Sequence, residues 1–572
     1  MAQALETMDE AEKSLLQLWA KSSRIDWVKN TFLTHDTEMI SAEAQKQLLA
    51  ATLRFAKQLA RFETLELPSE LSRKIQLLKT SLPVVAPGDP DKQAELARIT
   101  TAMESLYAKG QHCRESGDCL DLGQLSRILA ESRNPAELLE AWRGWRTISP
   151  GMRPLYERFV ELGNQGAREF GFPDLSVAWR SGYDMPPELV FRQLEDLWEQ
   201  VRPLYAALHC YVRRKLAQVY GSKLVPEDGP IQAHLLGNMW SQSWGNIYPL
   251  VAPPDSKRAY DLTELLRAKK IDELEMVRIG ERFFTSLGFP PLPSTFWERS
   301  QFTKPTGRDV VCHASAWNVD LEEDLRIKMC IKISGEDFFT IHHELGHNFY
   351  QRAYRHLSPL YRDSANDAFH EAIGDTVALS VTPQYLHQIG LLEQLPSERS
   401  DLGQLLQMSL EKVAFLPFGL LVDQWRWQVF SGEVQADNYN AAWWNLREKY
   451  QGIAPPVPRS EDDFDPGAKY HIPFNTPYTR YFLAHILQFQ FHRALAREAG
   501  HRGPLHQFSA YNNRQAGQRL IRLTEMGRSR PWMEALKVLT GTTTVDAGAI
   551  VEYFAPLKHW LDQQNEGATC GW

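Results

Sequence analysis

The sequence of 572 residues lacks several features that mark other classes of protein. It contains no Asn-x-Ser/Thr site, so N-linked glycosylation is not expected. No apolar run reaches the roughly 20 residues that a membrane-spanning helix needs. There is no Gly/Ser-rich or Pro-rich linker and no internal repeat. Basic residues are scattered and the net charge is -8, which argues against a nucleic-acid-binding surface.

A signal peptide is also missing, because residues 1–10 are acidic and polar. The protein is therefore expected to be cytosolic, or to have an export signal that lies outside this sequence. With 43% hydrophobic and 23% charged residues, the composition is that of a globular protein with a large core. We expect one large domain with two lobes, since no linker divides the chain. The sequence does not indicate an oligomeric state.

Cysteine is scarce, with six residues in the chain. Cys113 and Cys119 flank a five-residue stretch that can close as a small loop, and Cys312 and Cys330 lie in two strand-like segments. This spacing favours two disulfides, with the remaining two cysteines as free thiols, and an oxidising compartment. The alternative is six reduced thiols in a cytosolic protein, and the spacing alone does not decide between them.

Most of the chain has the apolar spacing of helices. Apolar residues recur at intervals of three and four in the segments 41–62, 187–220, 403–431 and 478–499. Residues 309–316 and 325–333 instead alternate apolar and polar side chains, which predicts an antiparallel strand pair directly before the segment with the metal-binding motif. A bridge between the cysteines in these two segments would join the strands.

The motif that carries chemistry is His343-Glu344-Leu345-Gly346-His347. On a helix, residues four apart lie on one face, so both imidazoles can bind one zinc ion. Glu344, beside the first histidine, is then placed to act on a water molecule as a general base. The alternative is a pair of histidines on a polar helix face, without a metal.

A zinc site of this kind needs a third protein ligand from a following helix, with the fourth position open. In the segment FHEAIGDT (369–376), Glu371 and Asp375 are four residues apart and share a helix face. We expect Glu371 to bind the metal and Asp375 to accept the outer N–H of a zinc histidine. The neighbouring His342 and His370 point about 100° away, so neither is assigned to the metal.

The segments HHELGH and FHEAIGD, at this spacing, resemble those of the angiotensin-converting enzyme (peptidyl-dipeptidase A) family. Further segments resemble the same family in the same order: HLLGNMW (234–240), CHASAW (312–317), LVDQWRW (421–427), FDPGAKYHIP (464–473) and QFQFHRAL (488–495). The similarity extends from roughly residue 100 to roughly residue 560 and suggests a non-vertebrate or bacterial homologue.

The resemblance implies a mainly α fold, a two-lobed helical ellipsoid with a deep central cleft that forms one peptidase domain over residues 1–572. The N-terminal helices, about residues 1–100, would form a lid, and a small antiparallel β element would lie beside the zinc helix. It implies a peptidyl-dipeptidase with one zinc ion, which releases dipeptides from oligopeptides with a free C-terminus. A secreted or periplasmic location is implied as well, and the cytosolic alternative stays open.

The resemblance also assigns roles to residues that would otherwise be taken for packing or surface residues. His471 and Tyr481 match the residues that stabilise the oxyanion of the reaction. Lys469, Tyr478 and Gln242 match the residues that bind the C-terminal carboxylate of the substrate. A fixed cation and two neutral donors suit such a carboxylate.

Gln242 separates two branches of the family. The carboxypeptidase relative has Arg at this position and releases single amino acids, so Gln242 favours dipeptide release. His313 and Ala314 match residues that bind the substrate backbone, beside which an extended peptide could add as a strand. The alternative for His313 is a histidine buried in an edge strand. His485 replaces a Phe of the best-known members, which weakens the expected preference for bulky apolar C-terminal residues.

Two chloride sites of the family can be mapped onto the sequence. The first comprises Arg180, Trp443 and Arg447, and the second comprises Tyr220 and Arg480. Asp367 stands where chloride-activated members have Pro, and its carboxylate would face Arg480 as a built-in anion. The resemblance therefore allows chloride at the first site and argues against it at the second.

Two rival functions remain. A zinc carboxypeptidase, or an oligopeptidase on a similar helical scaffold, would release different products. A catalytically inactive binding protein is disfavoured, because the expected metal ligands, the general base and the oxyanion residues are all present.

Overall fold

The structure, a computed structural model, describes residues 1–115, 117–253, 260–396 and 401–572. Helices make up most of the described chain and the strands are short, which confirms the predicted mainly α fold. In chain order the helices are α1 (Ala2–Thr31), α2 (His35–Ala60), α3 (Ser69–Thr80), α4 (Pro90–Ala108), α5 (Leu122–Glu131), α6 (Pro135–Arg146), α7 (Arg153–Glu169), α8 (Leu175–Arg180), α9 (Pro187–Tyr220), α10 (Tyr248–Val251), α11 (Leu262–Ala268), α12 (Glu273–Leu287), α13 (Ser294–Arg299), α14 (Gly335–Ala353), α15 (Phe369–Leu379), α16 (Pro383–Gln388), α17 (Asp401–Ser431), α18 (Tyr439–Leu446), α19 (Thr479–Glu498), α20 (Arg514–Thr524), α21 (Trp532–Thr540), α22 (Gly548–Tyr553) and α23 (Ala555–Gln564).

The strands of the described chain form three two-stranded sheets. They are β1 (Gln111–Cys113), β2 (Cys119–Asp121), β3 (Ile231–Gln232), β4 (Ser315–Asn318), β5 (Leu325–Lys328) and β6 (Ile453–Ala454). β1 pairs with β2 and β4 pairs with β5 in antiparallel orientation, whereas β3 and β6 are parallel.

The four long helices predicted from apolar spacing are present as α2, α9, α17 and α19. α9 shows why the sequence sets these limits. It has proline in its first turn, where no N–H partner is needed, and Gly221 follows its last residue with a φ of 82°. Glycine adopts this left-handed conformation without a steric penalty, so the helix ends there.

The predicted strand pair before the metal-binding motif exists, but its predicted limits were wrong. β4 begins at Ser315, because residues 309–311 bond to the end of α1 instead: Leu33 N–H donates to Asp309 and Val311 N–H donates to Asn30. β5 ends at Lys328, after which Met329 and Ile331 donate to the carbonyls of residues 301 and 302. Competing backbone partners therefore shorten both strands.

Three disulfides are present, and none of the described cysteines is free. The predicted bridges Cys113–Cys119 and Cys312–Cys330 are confirmed. The prediction of two free thiols was wrong, because Cys210 and Cys570 form a third bridge across 360 residues of sequence. Cys210 lies in α9, and chain folding rather than local spacing brings Cys570 to it. Three disulfides are typical of proteins from oxidising compartments.

The chain folds into two compact units. The first comprises Met1–Leu82, Ala259–Ser397 and Leu483–Tyr553. In this unit α14 packs against α12, α15 and α20. Phe349 of α14 stacks on Phe284 of α12 with 4.2 Å between the ring centroids, and Leu345 is fully buried. The apolar face of α14 is therefore fixed in the core of the first unit.

The second unit comprises Pro83–Arg258, Glu398–Phe482 and Phe554–Trp572. Its two longest helices, α9 and α17, pack against each other. Trp425 of α17 stacks on Tyr156 with ring centroids 5.7 Å apart, and both residues are fully buried. Large aromatic side chains bury much apolar surface, so these contacts stabilise the second unit.

One described helix, α17, is long and apolar enough by composition to cross a membrane. However, 78% of its most apolar window is buried inside the protein. Such burial is typical of the core helix of a globular protein, and it accounts for the apolar composition of α17.

Candidate active site

The metal-binding motif lies on α14, as the sequence predicts. The Ser334 hydroxyl caps this helix by accepting from the N–H of Asp337 at 3.1 Å. Glu336 and Asp337 add negative charge in the first turn, where the helix dipole favours it. Almost two turns further on, His343 and His347 share the face that α14 turns toward α15.

Two glycines allow α15 to approach α14 backbone to backbone. A Cβ atom on Gly346 would lie 2.8 Å from the Cα of Gly374, and one on Gly374 would lie 2.8 Å from Nδ1 of His343. Real Cβ atoms do not come this close, so any larger residue would push the helices apart. The glycines in HHELGH and FHEAIGD thus set the distance across which Glu371 reaches the histidines.

His343, His347 and Glu371 form the predicted ligand group, with one ligand atom of each within 4.8 Å of the others. The two Nε2 atoms face each other at 3.1 Å, and Oε2 of Glu371 lies 3.5 Å from Nε2 of His343. Two imidazole nitrogens and one carboxylate oxygen converge on one point from two rigid helices. This donor set fits zinc and leaves the fourth tetrahedral position to other ligands.

The electrostatics of the group favour positive charge. Burial lowers the pKa of His343, but contacts with Asp375 and Glu371 outweigh it and raise the pKa to about 10. Burial raises the pKa of Glu371, yet its contacts with the histidines lower it to about 2. Burial lowers the pKa of His347 to about 3, so this imidazole is neutral. The negative charges that stabilise a proton on these side chains would also stabilise a metal cation bound among them.

Asp375 lies where the sequence predicts it, with Oδ1 3.1 Å from Nδ1 of His343. An Nδ1–H that donates to this carboxylate leaves the Nε2 lone pair of His343 free for a metal. His342, its neighbour on α14, lies among other partners: its Nδ1–H donates to the carbonyl of Phe338, and its Nε2 accepts from the hydroxyl of Tyr385.

The carboxylate of Glu344 is buried, with 8% of the residue exposed. Burial raises its pKa above the ordinary value, whereas the charges of His343 and His313 and the N–H of Ala316 oppose this rise. A raised pKa makes this carboxylate a stronger base toward a water molecule. The N–H of Ala316 comes from β4, so the strand pair orients the proposed base.

His313 and Ala314 precede β4 rather than lying in it, because the strand begins at Ser315. His313 is exposed, so it is not a histidine buried in an edge strand. The buried ammonium of Lys328 holds this segment, since its Nζ donates to the carbonyls of Val311 and His313 at 2.6 and 2.7 Å. Lys328 therefore fixes the backbone of residues 311–313, while the side chain of His313 stays exposed.

In the second unit, the three residues expected to bind a carboxylate lie together. Nζ of Lys469 donates to Oε1 of Gln242 at 2.7 Å, and the hydroxyl of Tyr478 donates to the same oxygen at 3.3 Å. Lys469 is 4% exposed, and its Nζ lies 4.3 Å from the ring centroid of Trp240. Among the described residues Lys469 has no carboxylate partner, so a neutral amide oxygen occupies the position that suits an anion.

His471, Tyr478 and Tyr481 form a triangle of rings in the second unit. The centroid of His471 lies 4.6 Å from that of Tyr478 and 5.5 Å from that of Tyr481. Burial and the charges of Lys469, Arg426 and Arg480 lower the pKa of His471 to about 2, so it stays a neutral donor. The predicted oxyanion residues His471 and Tyr481 are thus neighbours, and the neutral imidazole of His471 can donate a hydrogen bond.

Sequence reasoning missed two residues that hold the segment 471–479, which contains His471 and Tyr478. Arg426 donates to the carbonyls of His471 and Thr476 at 2.8 and 2.7 Å. Asp423 accepts from the N–H groups of Tyr478 and Thr479 at 2.7 Å each. Both lie on α17, three residues apart, and form a buried ion pair. The available signal was the segment LVDQWRW, whose two charged residues follow the apolar stretch 413–422 of α17.

Only some of the residues mapped to the two chloride sites contact one another in the described part of the chain. Arg447 is buried and donates to the carbonyl of Trp240 at 2.9 Å. In the described part of the chain, Arg180 contacts Ser176, the carbonyl of Pro187 and the ring of Trp427 rather than Trp443 or Arg447. Arg480 acts on His471 through its charge, and burial raises the pKa of Tyr220. Chloride binding therefore stays a prediction.

Comparison with known proteins agrees with this geometry. The Peptidase_M2 family model, described as angiotensin-converting enzyme, matches residues 1–572. Angiotensin-converting enzyme from Mesocricetus auratus is 45% identical over 572 residues, which cover 97% of this chain and 43% of the relative. The enzyme from Mus musculus is 48% identical over 513 residues, covering 88% and 39% of the two chains.

Angiotensin-converting enzyme from Theromyzon tessulatum is 40% identical over 570 residues, covering 98% of this chain and 91% of the relative. The chain thus spans less than half the length of the Mesocricetus and Mus proteins, and nearly all of the Theromyzon protein. Because the family model covers its whole length, the chain belongs to the angiotensin-converting enzyme family of peptidases.

Proposed function

We propose that this protein is a zinc peptidyl-dipeptidase, which hydrolyses oligopeptides and releases C-terminal dipeptides. The observation that carries the proposal is the convergence of His343, His347 and Glu371 beside the buried carboxylate of Glu344. Family membership supports it, and the grouping of Gln242, Lys469 and Tyr478 supports recognition of a chain end.

The catalytic roles follow from the chemistry of the side chains. A zinc ion held by the three ligands would lower the pKa of water and polarise the scissile carbonyl. Glu344 takes a proton from the attacking water and later returns it to the leaving amine nitrogen. His471 and Tyr481 donate hydrogen bonds to the carbonyl oxygen as it gains negative charge, and each such donor contributes about 10²–10³ in rate.

Substrate orientation is assigned to two further groups. Lys469, Tyr478 and Gln242 bind the C-terminal carboxylate, with the ammonium replacing its contact to Gln242 by one to the anion. His313 and Ala314 contact the substrate backbone, which adds beside the edge of the β4–β5 pair. Gln242 rather than Arg at this position favours release of dipeptides over single residues.

Two finer statements belong to the same proposal. A secreted or periplasmic location suits the three disulfides. Chloride would bind at Arg447, a buried cation that faces backbone and aromatic groups, whereas Asp367 disfavours chloride at the second site. Chloride titration of peptide hydrolysis at fixed ionic strength, with the Asp367→Pro variant alongside, tests this part separately.

The decisive experiment is mass spectrometry of the products from an N-terminally blocked tripeptide and its C-terminal amide. We expect release of a dipeptide from the free acid, slow cleavage of the amide and loss of activity on zinc chelation. Release of single amino acids would place the protein in the carboxypeptidase branch. Absence of any cleavage by zinc-loaded protein would favour a binding protein.

A further inference from the structure

His370 lies between a zinc ligand and a buried tyrosine. Its Nδ1 is 3.4 Å from Nδ1 of His347, and its Nε2 is 3.2 Å from the hydroxyl of Tyr354. Tyr354 is 3% exposed. His370 is thus in contact with the rear of the ligand His347, on the side opposite the Nε2 atom that faces His343.

The direction of these hydrogen bonds follows from the metal site. When Nε2 of His347 binds a metal, the neutral ring has its proton on Nδ1. Among the described residues, the acceptor in contact with this Nδ1–H is the Nδ1 lone pair of His370, which must then have its own proton on Nε2. The Nε2–H of His370 in turn donates to the oxygen of Tyr354. The three side chains therefore form one chain of donors with a single consistent arrangement.

We propose that His370 is a positioning residue that orients the zinc ligand His347, and that the oxygen of Tyr354 supports the required tautomer of His370 by accepting from its Nε2–H. The inference rests on the zinc site of the proposed function. It gives the two histidine ligands different rear partners, a carboxylate for His343 and a neutral imidazole for His347. Rear partners of zinc histidines hold ring orientation and raise ligand affinity.

The surroundings keep His370 in place. His347 and Tyr350 lie on α14 and Tyr354 directly follows its last residue, at intervals of three and four residues, so the three side chains lie along one side of the helix. The ring of Tyr350 packs on His370 with 4.6 Å between centroids, and the Tyr350 hydroxyl accepts from the N–H of Ala365 at 3.0 Å. His370 is thus held by a ring face as well as by its two nitrogen contacts.

The same helix provides a matched control. His342 also contacts a buried tyrosine, since its Nε2 accepts from the hydroxyl of Tyr385 at 2.9 Å. Its Nδ1 bonds to the carbonyl of Phe338 and not to a zinc ligand. Tyr385→Phe removes the same kind of hydroxyl as Tyr354→Phe, at a pair that does not contact the metal site.

The experiment measures zinc affinity of the full chain by competition with a chelator, and needs no catalysis. We expect His370→Phe to weaken zinc binding about 10–100-fold, because the Nδ1–H of His347 loses its acceptor. His370→Asn offers an amide oxygen near the position of Nδ1, so it should keep affinity within about 5-fold of the wild type. Tyr354→Phe should weaken binding about 10-fold and Tyr385→Phe by less than about 3-fold.

The outcomes separate this inference from the proposed function. Failure of the wild-type chain to bind zinc overturns both. Tight zinc binding by the wild type, His370→Phe and Tyr354→Phe alike overturns only the role of His370. Equal losses in Tyr354→Phe and Tyr385→Phe also overturn it, because they show general damage to packing. If His370→Phe does not fold, the comparison of the two tyrosine variants decides alone.

Discussion

Gly346 and Gly374 meet where α14 and α15 cross, so closely that a Cβ atom on Gly374 would lie 2.8 Å from Nδ1 of His343 and 2.9 Å from its carbonyl oxygen. This backbone contact brings Glu371 within 3.5 Å of Nε2 of His343. The ligand geometry thus depends on two residues that have no side chain and bind nothing themselves.

We expect Gly374→Ala to damage the metal site specifically. The added methyl must displace α15 or the His343 ring, at a cost of about 1–3 kcal/mol in the free energy of unfolding. Zinc affinity should fall by about tenfold or more, since a tenfold change corresponds to about 1.4 kcal/mol. Thermal unfolding and chelator competition measure the two effects. Gly151→Ala, where a Cβ meets nothing within 4 Å, should change neither.

Glu344 and Glu371 should give opposite results when each is changed to Gln. Glu344→Gln removes the general base, so kcat should fall at least about 10²–10⁴-fold while zinc stays bound. Glu371→Gln replaces an anionic ligand by a neutral one, so zinc affinity should fall together with activity. Zinc content and single-turnover hydrolysis measure both. Substantial hydrolysis by zinc-loaded Glu344→Gln protein would show that another group moves the proton.

Lys469 predicts a dependence of substrate binding on pH. Burial, followed by the charge of Arg447, lowers the pKa of Lys469 to about 7. The ammonium is present below this pH and is lost as pH rises through it. The kcat/KM for peptides with a free C-terminus should therefore fall above about pH 7, because this ratio reports the free enzyme. A bound carboxylate retains the ammonium, so kcat should fall less.

Kinetics across this pH range for two lysine variants test the assignment. Lys469→Met should have a low kcat/KM at acidic pH and should lack the fall that titration of Lys469 causes. Lys449→Met is the control, because Nζ of Lys449 bonds to the hydroxyl of Tyr450 at 2.8 Å and Lys449 is not one of the residues proposed to bind the substrate carboxylate. Persistence of the same fall in Lys469→Met would assign it to another residue.

The metal site could be predicted from sequence because its geometry is local. The spacing of His343 and His347 on one helix, and of Glu371 and Asp375 on another, determines which faces they share. The close approach of the two helices was not predicted, because it depends on Gly346 and Gly374 meeting in space. Periodicity describes single elements and does not report the distance between them.

Interactions between distant segments explain the remaining errors. The strand before the motif begins later than its alternation suggests, because Asn30 and Lys328 provide other partners for residues 311–313. The bridge Cys210–Cys570 joins positions 360 residues apart, and no local pattern connects them. The assignment of Gln242, Lys469 and Tyr478 to carboxylate binding came from family resemblance, since an isolated Lys or Gln carries no signal of its own.

The ion pair of Asp423 and Arg426 gives the last prediction. Together they bond to both ends of the segment 471–479, which contains His471 and Tyr478. Their side chains are 2% and 0% exposed. Arg426→Met leaves the carboxylate of Asp423 buried without its cation, which should lower the free energy of unfolding by about 3–5 kcal/mol. The freed carbonyls of His471 and Thr476 should let the segment move.

We therefore expect Arg426→Met to lower kcat by more than about tenfold while zinc affinity stays unchanged, because the zinc ligands belong to the first unit and this pair belongs to the second. The double variant Asp423→Asn, Arg426→Met should recover part of the lost stability, since it removes the unpaired charge.

Arg202→Met is the control, because its exposed pair with Glu199 contributes less than about 1 kcal/mol. A normal kcat in folded Arg426→Met protein would show that the segment keeps its position without the pair. Equal loss of zinc and kcat would instead indicate general unfolding, and urea unfolding curves of the three variants distinguish these cases.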